Sequence, residues 1–219
     1  GHWPWGMWEG HDYKNPKTNF GYGRTFVAID LKTKTIKWQH SEKDFIDARG
    51  VCLRDRKIYF YSPKKFLAAI GTDAKPAWRN NSKELLEAIA PHARAQRYIT
   101  GYATTTYIKC TKDEIFFAGP TRSNLVCASA KDGQLLWQKK GGGNVQLVLR
   151  EEGVFAAGAQ RSNGGMILEY KTGKIKSVMP WRRACTRATG SIDSVFFRAA
   201  GGTVRMDVTN NTAEHIAPM

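Results

Sequence analysis

Alternating apolar and polar residues fill most of the chain from residue 24 onward, in short segments separated by turn residues. Residues 25–29 and 35–39 alternate in this way on either side of a polar turn at 30–34. A period of two over about four to eight residues, bounded by Asp, Asn, Gly or Ser, is typical of antiparallel strands joined by tight turns. The pattern therefore predicts a chain built of hairpins.

One pattern recurs along these hairpins: a small apolar residue, Asp two positions later, Thr-Gly after that, and Trp at the end. Ala28, Asp30, Thr33 and Trp38 form the first copy. Five copies end at residues 38, 78, 137, 177 and 215, so the intervals are 40, 59, 40 and 38 residues. The second copy is one residue short, and the last two end in Ser and His instead of Trp. A repeat near forty residues indicates stacked structural units.

Each complete unit contains four predicted strands. These are residues 51–53, 57–61, 66–70 and 76–78; 104–109, 114–118, 125–129 and 134–138; 145–149, 154–157, 166–170 and 174–178; and 186–190, 194–198, 203–207 and 212–216. Four short strands in about forty residues are typical of a β-propeller blade. The recurring Trp ring is predicted to fill the wedge between adjacent sheets.

The long interval of 59 residues is explained by a single inserted helix near residues 82–90. The Asn-Ser-Lys-Glu sequence at 81–84 resembles a capping box, and Leu85, Leu86 and Ile89 follow at helical spacing. Pro91 is expected to end the helix. The insertion lies between blades and leaves the repeat intact.

The composition indicates a globular protein with a basic surface. The chain is 42% hydrophobic, and it has no apolar run long enough for a transmembrane segment. The net charge of +15 is compatible either with a basic solvated surface or with binding to polyanions. Lys and Arg are spread along the chain without a block, so nucleic acid is not expected as a partner. Residues 1–23 form an aromatic-rich segment with Gly and Pro, and 24–219 are predicted to form a partial propeller.

The first copy, from Ala28 to Trp38, and the Gly133-to-Trp137 half of the third copy resemble the pyrroloquinoline-quinone-like (PQQ-like) β-propeller repeat family. The resemblance implies an all-β propeller of four-stranded blades. About four and a half blades are expected, as part of a seven- or eight-bladed ring in a larger bacterial protein. Either the remaining blades of a longer chain or self-association would then close the ring. Family resemblance also favours a periplasmic or secreted location.

The family includes quinoprotein alcohol dehydrogenases, which hold PQQ and calcium beside an adjacent Cys-Cys pair, and also the lipoprotein scaffold of outer-membrane assembly. The four cysteines here are never adjacent, and they are either free thiols or, in an exported protein, disulfides: Cys52, Cys110, Cys127 and Cys185. We therefore expect a non-catalytic binding or scaffolding domain with no cofactor, metal site or catalytic residue. A PQQ-dependent oxidoreductase is the alternative, and a polyanion-binding domain is the second.

The innermost strand of each blade lines the central channel of a propeller, so the residues that open these strands are the candidate ligand-binding positions. They are Asp47, Arg49, Thr104, Thr105, Gln146, Arg183 and Arg187. The arginines suit an anionic ligand through bidentate hydrogen bonds, or else they bind turn carbonyls. The expected partner at this channel face is a protein or a small-molecule ligand.

Overall fold

A computed structural model describes residues 22–47, 50–90, 107–118, 124–140, 145–158, 165–183, 188–199 and 201–218. Strands dominate these residues, with one short helix among them. The elements are β1 (Tyr22–Ile29), β2 (Ile36–Asp47), β3 (Val51–Arg54), β4 (Lys57–Ser62), β5 (Phe66–Gly71), β6 (Pro76–Asn80), α1 (Lys83–Ala88), β7 (Tyr107–Cys110), β8 (Glu114–Ala118), β9 (Asn124–Ser129), β10 (Leu135–Lys140), β11 (Gln146–Arg150), β12 (Gly153–Ala157), β13 (Gly165–Leu168), β14 (Ile175–Met179), β15 (Thr189–Gly190), β16 (Ser194–Ala199), β17 (Gly202–Asp207) and β18 (Thr212–Pro218).

The strands form one two-stranded and four four-stranded antiparallel sheets, each a meander of consecutive strands. We call β1–β2 the half-blade and name the others blade 1 (β3–β6), blade 2 (β7–β10), blade 3 (β11–β14) and blade 4 (β15–β18). The all-β architecture of about four and a half blades is thereby confirmed. Contacts join the half-blade to blade 1 and each blade to the next, but no comparable contact joins blade 4 to the half-blade, so the described strands do not close into a ring.

Strand β2 is longer than the pattern predicted. It continues past residue 39 to Asp47, because β1 pairs along its whole length, from Ile29 opposite Ile36 to Tyr22 opposite Asp47. The other predicted strands that lie within the described residues agree closely with the observed strands, and the strand predicted at residues 114–118 matches β8 in full. The predicted starts at 104–106 and 186–187 lie outside the described residues.

The inserted helix is confirmed as α1, but its predicted capping box is wrong. Ser82 is the N-cap residue and makes no side-chain cap hydrogen bond. Instead, the backbone amide of Ser82 donates to the side-chain oxygen of Asn80, 2.8 Å away, so an Asx turn begins the helix. Leu85 and Ile89 anchor α1 because both are buried in the apolar cluster between blades 1 and 2.

The recurring Asp holds the turn between the last two strands of its unit. Both the Lys32 and Thr33 amides donate to the same oxygen of Asp30, at 2.8 and 3.0 Å. Asp207 accepts from two downstream amides in the same way. These backbone hydrogen bonds lower the pKa of Asp30 and of Asp207, because they favour the charged carboxylate. Ionisation of the side chain therefore strengthens these hydrogen bonds.

Each recurring Trp reaches across to the corresponding turn of the next unit. The indole nitrogens of Trp38, Trp78 and Trp137 donate to the carbonyl oxygens of residues 72, 130 and 170, at 2.8, 3.1 and 2.7 Å. Each indole thus satisfies its donor while its ring fills the space between two sheets. Ser177, at the same position in blade 3, contacts the side chain of Asn211 in blade 4.

The recurring spacing of Trp and Gly within the chain has a steric reason across the blade boundary. Gly173 has φ +66°, and a Cβ on it would lie 2.7 Å from the ring of Trp137. A Cβ on Gly133 would similarly lie 2.5 Å from the ring of Trp78. Asn211 also has a positive φ, of 54°, but its partner from the preceding blade is the hydroxyl of Ser177 instead of a Trp ring. At Gly133 and Gly173, therefore, the packed ring excludes a side chain in addition to the backbone preference for glycine.

Apolar clusters lie between neighbouring sheets and fix the order of the blades. Phe60 of blade 1 packs against Phe26 of the half-blade, with ring centroids 4.9 Å apart. Tyr61 of blade 1 likewise meets Phe117 of blade 2 at 6.0 Å. As a result, the first strands of the four blades lie side by side in chain order: β3, β7, β11 and β15. They form the wall of a channel.

An ion pair adds to the contact between the half-blade and blade 1. Glu42 of β2 accepts two hydrogen bonds from Arg79 of β6, at 2.7 and 2.8 Å, and one from His40 at 3.0 Å. Burial is the strongest influence on the Glu42 pKa and would raise it, but the hydrogen bonds from Arg79 and His40 outweigh burial. The pKa of Glu42 is therefore lowered.

Candidate functional site

A cavity of about 420 Å³ lies where the four inner strands come together. Each inner strand contributes its second half to the wall, so the cavity lies toward the end at which these strands finish. Its polar and reactive lining residues are Cys52, Lys109, Cys110, Arg150 and Ser191. A concave site with a few convergent polar groups is the usual form of a ligand pocket.

None of the predicted binding residues that the structure describes lines this cavity. The structure describes Asp47, Gln146 and Arg183. Arg49, Thr104, Thr105 and Arg187 lie outside the described residues. The predicted convergence of the arginines on one ligand therefore stays a prediction.

The described opening residues are mostly engaged in holding the blades. Asp47 is fully buried at the end of β2, and its carbonyl accepts the amide of Gly50 at 2.8 Å. The side-chain oxygen of Gln146 accepts the backbone amide of Ala188, 3.1 Å away, and so links blade 3 to the start of blade 4. Arg183 is exposed, and its amide donates to Arg198 of β16. Of these three, Arg183 is exposed, Gln146 is half-buried and Asp47 is buried.

Arg182 is a residue that the sequence pattern missed. It is fully buried, and its guanidinium donates to the carbonyl of Ala157 at 2.9 Å and to that of Arg183 at 3.1 Å. Its own amide bonds to Gly158. A buried Arg bound to backbone carbonyls ties the segment before blade 4 to the end of β12. The Arg-Arg pair in the sequence gave no sign of which member turns inward.

Arg150 closes one side of the cavity by bridging two blades. Its guanidinium donates to the carbonyls of Ser191 and Ile192 in blade 4, the latter at 2.6 Å, and forms an ion pair with Glu152 at 3.0 Å. The hydrogen bond from Arg150 lowers the pKa of Glu152. Tyr170 donates to the Arg150 carbonyl at 2.6 Å, and burial raises the pKa of Tyr170 to about 12. This corner of the wall is held by a polar network.

Two thiols face each other on the opposite side of the cavity. Cys52 of β3 and Cys110 of β7 are both half-buried, and both pack on the apolar cluster between blades 1 and 2, where the two thiols interact. This contact lowers the pKa of Cys110 and raises that of Cys52, because one thiolate is stabilised by the other thiol. Burial opposes ionisation at both positions, whereas the positive charge of Arg54 favours it at Cys110.

A second cavity, of about 460 Å³, is apolar and lies between the half-blade and blade 1. Phe26, Trp38, Val51 and Ile58 are among its lining residues. It is the wedge between two adjacent sheets, and the recurring Trp fills part of it.

The described residues contain no group of three or more His, Cys, Asp or Glu side chains placed to hold a metal ion. No helix among them has the length and apolar character needed to cross a membrane.

Comparison with known proteins gives the fold and no family. No protein-family model matches the chain, and no curated protein matches it either. Among solved structures, it is similar to BamB from Moraxella catarrhalis, with a TM-score of 0.61 and 13% identity over 90% of this chain and 56% of that one. It is also similar to the computationally designed protein Ika8, with a TM-score of 0.62 and 10% identity over 89% and 58% of the two chains.

The designed protein Ika4 gives a further match, with a TM-score of 0.52 and 7% identity over 81% of this chain and 95% of that one. The chain thus spans a little more than half the length of BamB and of Ika8. At these identities the likeness concerns the fold alone. Together with four consecutive four-stranded sheets around a channel, it shows that the chain adopts the fold of a β-propeller.

Proposed function

We propose that the chain is a non-catalytic binding or scaffolding part of a β-propeller of the PQQ-like class, and that it binds an anionic ligand in its channel. The observation that carries the proposal is the cavity between the four inner strands, with Lys109 and Arg150 in its wall. The net charge of +15 adds a favourable long-range field for an anion. An acidic peptide segment of a protein, or a small carboxylate, has the matching chemistry.

The whole protein is proposed to be longer than this chain. About four and a half blades cover 56% of BamB and 58% of Ika8, and this proportion fits a ring of about seven or eight blades. Further blades of the same polypeptide, or a second copy, would complete the channel. A periplasmic or secreted location follows from the family resemblance and is part of the proposal.

The quinoprotein alternative is tested by the donor groups on the channel wall. PQQ and calcium in such enzymes lie beside an adjacent pair of cysteines and a set of acidic and amide ligands. Here the two channel cysteines belong to different blades, and the described residues include no acidic cluster of three. The described part of the chain therefore does not fit the cofactor, and we derive no step through it.

Charge reversal tests the proposed anion site. Titration of an acidic peptide, such as oligoglutamate, against the full chain should be compared with the Lys109→Glu variant. Reversing one charge in the wall should weaken binding by about tenfold or more. Lys174→Glu, on an exposed outer turn of blade 3, is the matched control and should leave the affinity unchanged. Equal losses in the two variants would refute a channel site.

The same titration separates the other candidates. Arg183→Glu changes the opening end of the channel, so a loss in this variant alone would place the ligand at the predicted opening residues. Binding that follows total charge, falls steeply with salt and also occurs with heparin would instead indicate the polyanion-binding domain. Dye-linked alcohol oxidation after addition of PQQ and Ca²⁺ would support the oxidoreductase.

A further inference from the structure

Two cysteines from neighbouring blades meet in the channel wall, although they are far apart in sequence. Cys52 lies in β3 and Cys110 in β7, and both line the same cavity. We infer that Cys52 and Cys110 are a redox pair, which closes into a disulfide between blades 1 and 2 by exchange with a low-molecular-weight disulfide. This site does not depend on whether the channel binds an anionic ligand.

The geometry brings the two sulfur atoms together on rigid elements. β3 and β7 are neighbours in the wall, and both thiols pack on the buried cluster between blades 1 and 2 that includes Tyr59 and Ile115. Short strands held by a packed core can support a cross-blade bond with little movement, which a disulfide requires.

The two thiols differ in reactivity. The hydrogen bond from Cys52 lowers the pKa of Cys110, and Arg54 adds to this effect, whereas the same contact and burial raise the pKa of Cys52. The thiolate is the nucleophilic form of cysteine. Cys110 is therefore the attacking thiol and Cys52 the resolving thiol. Both are half-buried and line an open cavity, so a small disulfide can reach them.

The exchange proceeds in two balanced steps. The Cys110 thiolate attacks one sulfur of the small disulfide, the S–S bond breaks, and one small thiolate leaves. Cys52 then loses its proton to solvent, attacks the sulfur of Cys110 in the mixed disulfide, and releases the second small thiolate. Two electrons pass from the cysteine pair to the small disulfide, which is reduced to two thiols.

Cys127 provides an internal contrast. It is fully buried in the cluster between blades 2 and 3, and burial together with the charge of Glu114 raises its pKa. It has neither the thiol partner nor the access to the cavity that Cys110 has. We expect Cys127 to remain unmodified under conditions that oxidise the pair.

The test uses the reduced full-length chain and oxidised glutathione. After quenching and digestion with trypsin under non-reducing conditions, mass spectrometry should find the peptide of residues 50–54 linked to the peptide of residues 110–112. Before oxidation, limiting iodoacetamide should label Cys110 several-fold faster than Cys52, because the thiolate is the reactive form and the pKa of Cys110 is the lower of the two. These two measurements need no variant and therefore no assumption about folding.

Variants assign the two roles. Cys52→Ser should stop at a glutathione adduct on Cys110, and Cys110→Ser should yield no linked peptide, with Cys52 modified only by its own direct reaction with oxidised glutathione. Cys127→Ser should form the linked peptide as the wild type does. A wild-type chain that yields only glutathione adducts, or no modification at either position, overturns the inference. Equal labelling of Cys52 and Cys110 by iodoacetamide also overturns it.

Discussion

The Trp–Gly contact between blades predicts a specific pattern of non-additive mutations. Gly173→Ala places a Cβ 2.7 Å from the Trp137 ring, on a residue whose φ is +66°. The left-handed conformation costs about 1 kcal/mol for a residue with a side chain, and the overpacking adds about 1–3 kcal/mol. We expect Gly173→Ala to lower the free energy of unfolding by about 2–4 kcal/mol.

Removing the ring should relieve most of this cost. Trp137→Ser loses the indole hydrogen bond to Tyr170 and the partly buried ring, at a cost of about 3 kcal/mol. In that background, Gly173→Ala should cost only the backbone preference, about 1 kcal/mol. The coupling free energy of the double-mutant cycle should therefore be about 1–3 kcal/mol.

The blade 3–blade 4 boundary supplies the control. Asn211 has a φ of 54° but contacts Ser177 instead of a Trp, so Asn211→Ala should lose the left-handed preference of Asn and an exposed hydrogen bond, about 1 kcal/mol in all. The assay is urea unfolding followed by far-ultraviolet circular dichroism, because removal of Trp137 alters the fluorescence. A coupling below about 0.5 kcal/mol would refute the cross-blade steric explanation.

Three further predictions concern polar contacts between the blades. Arg182→Met should lower the free energy of unfolding by about 2–4 kcal/mol, because it leaves buried carbonyl groups without a donor. The control is Arg183→Met at the exposed neighbouring residue, which should change the free energy of unfolding by less than about 0.5 kcal/mol in the same urea assay. The pKa of Glu42 is lowered by folding, so its ion pair with Arg79 stabilises the fold above the ordinary pKa of 4.5, and this contribution is lost as the pH falls through the folded pKa. Glu42→Gln should therefore flatten the decline of the urea midpoint below about pH 5. An unchanged slope would contradict the ion pair. Tyr170→Phe should cost about 1 kcal/mol through the lost hydrogen bond to the blade 3 turn. A spectrophotometric titration of the wild type should show two tyrosines, Tyr59 and Tyr170, ionising near pH 12, and the Tyr170→Phe variant should show one; a normal titration of every tyrosine would contradict this burial.

The repeat made most of the fold predictable. Strand alternation and turn residues located the hairpins, and the recurrence of the Ala28-to-Trp38 pattern at intervals near forty residues gave the length of a unit. The pattern recurs because each Trp packs on the corresponding turn of the next unit. The start of the helix was less predictable. A polar run at 81–84 is compatible with either a capping box or an Asx turn, and the choice depends on Asn80, which lies at the end of a strand.

The candidate site was less accessible to sequence reasoning. Cys52 and Cys110 are separated by the helix insertion, and only the side-by-side arrangement of β3 and β7 brings their thiols together. The inward turn of Arg182 likewise depends on carbonyl groups of another blade. The local alternation of apolar and polar residues predicts which residues lie on strands. The contacts of the channel wall join residues that are far apart in sequence, so no local sequence pattern predicts them.

A crystal structure of the full chain with a bound acidic peptide is the most direct test of a propeller with an anion-binding channel. It should show the indoles of Trp38, Trp78 and Trp137 on the turns of the following blades, and the peptide carboxylates beside Lys109 and Arg150. A structure in which each Trp packs within its own blade, or in which the peptide lies along the outer strands, would contradict the arrangement proposed for this protein.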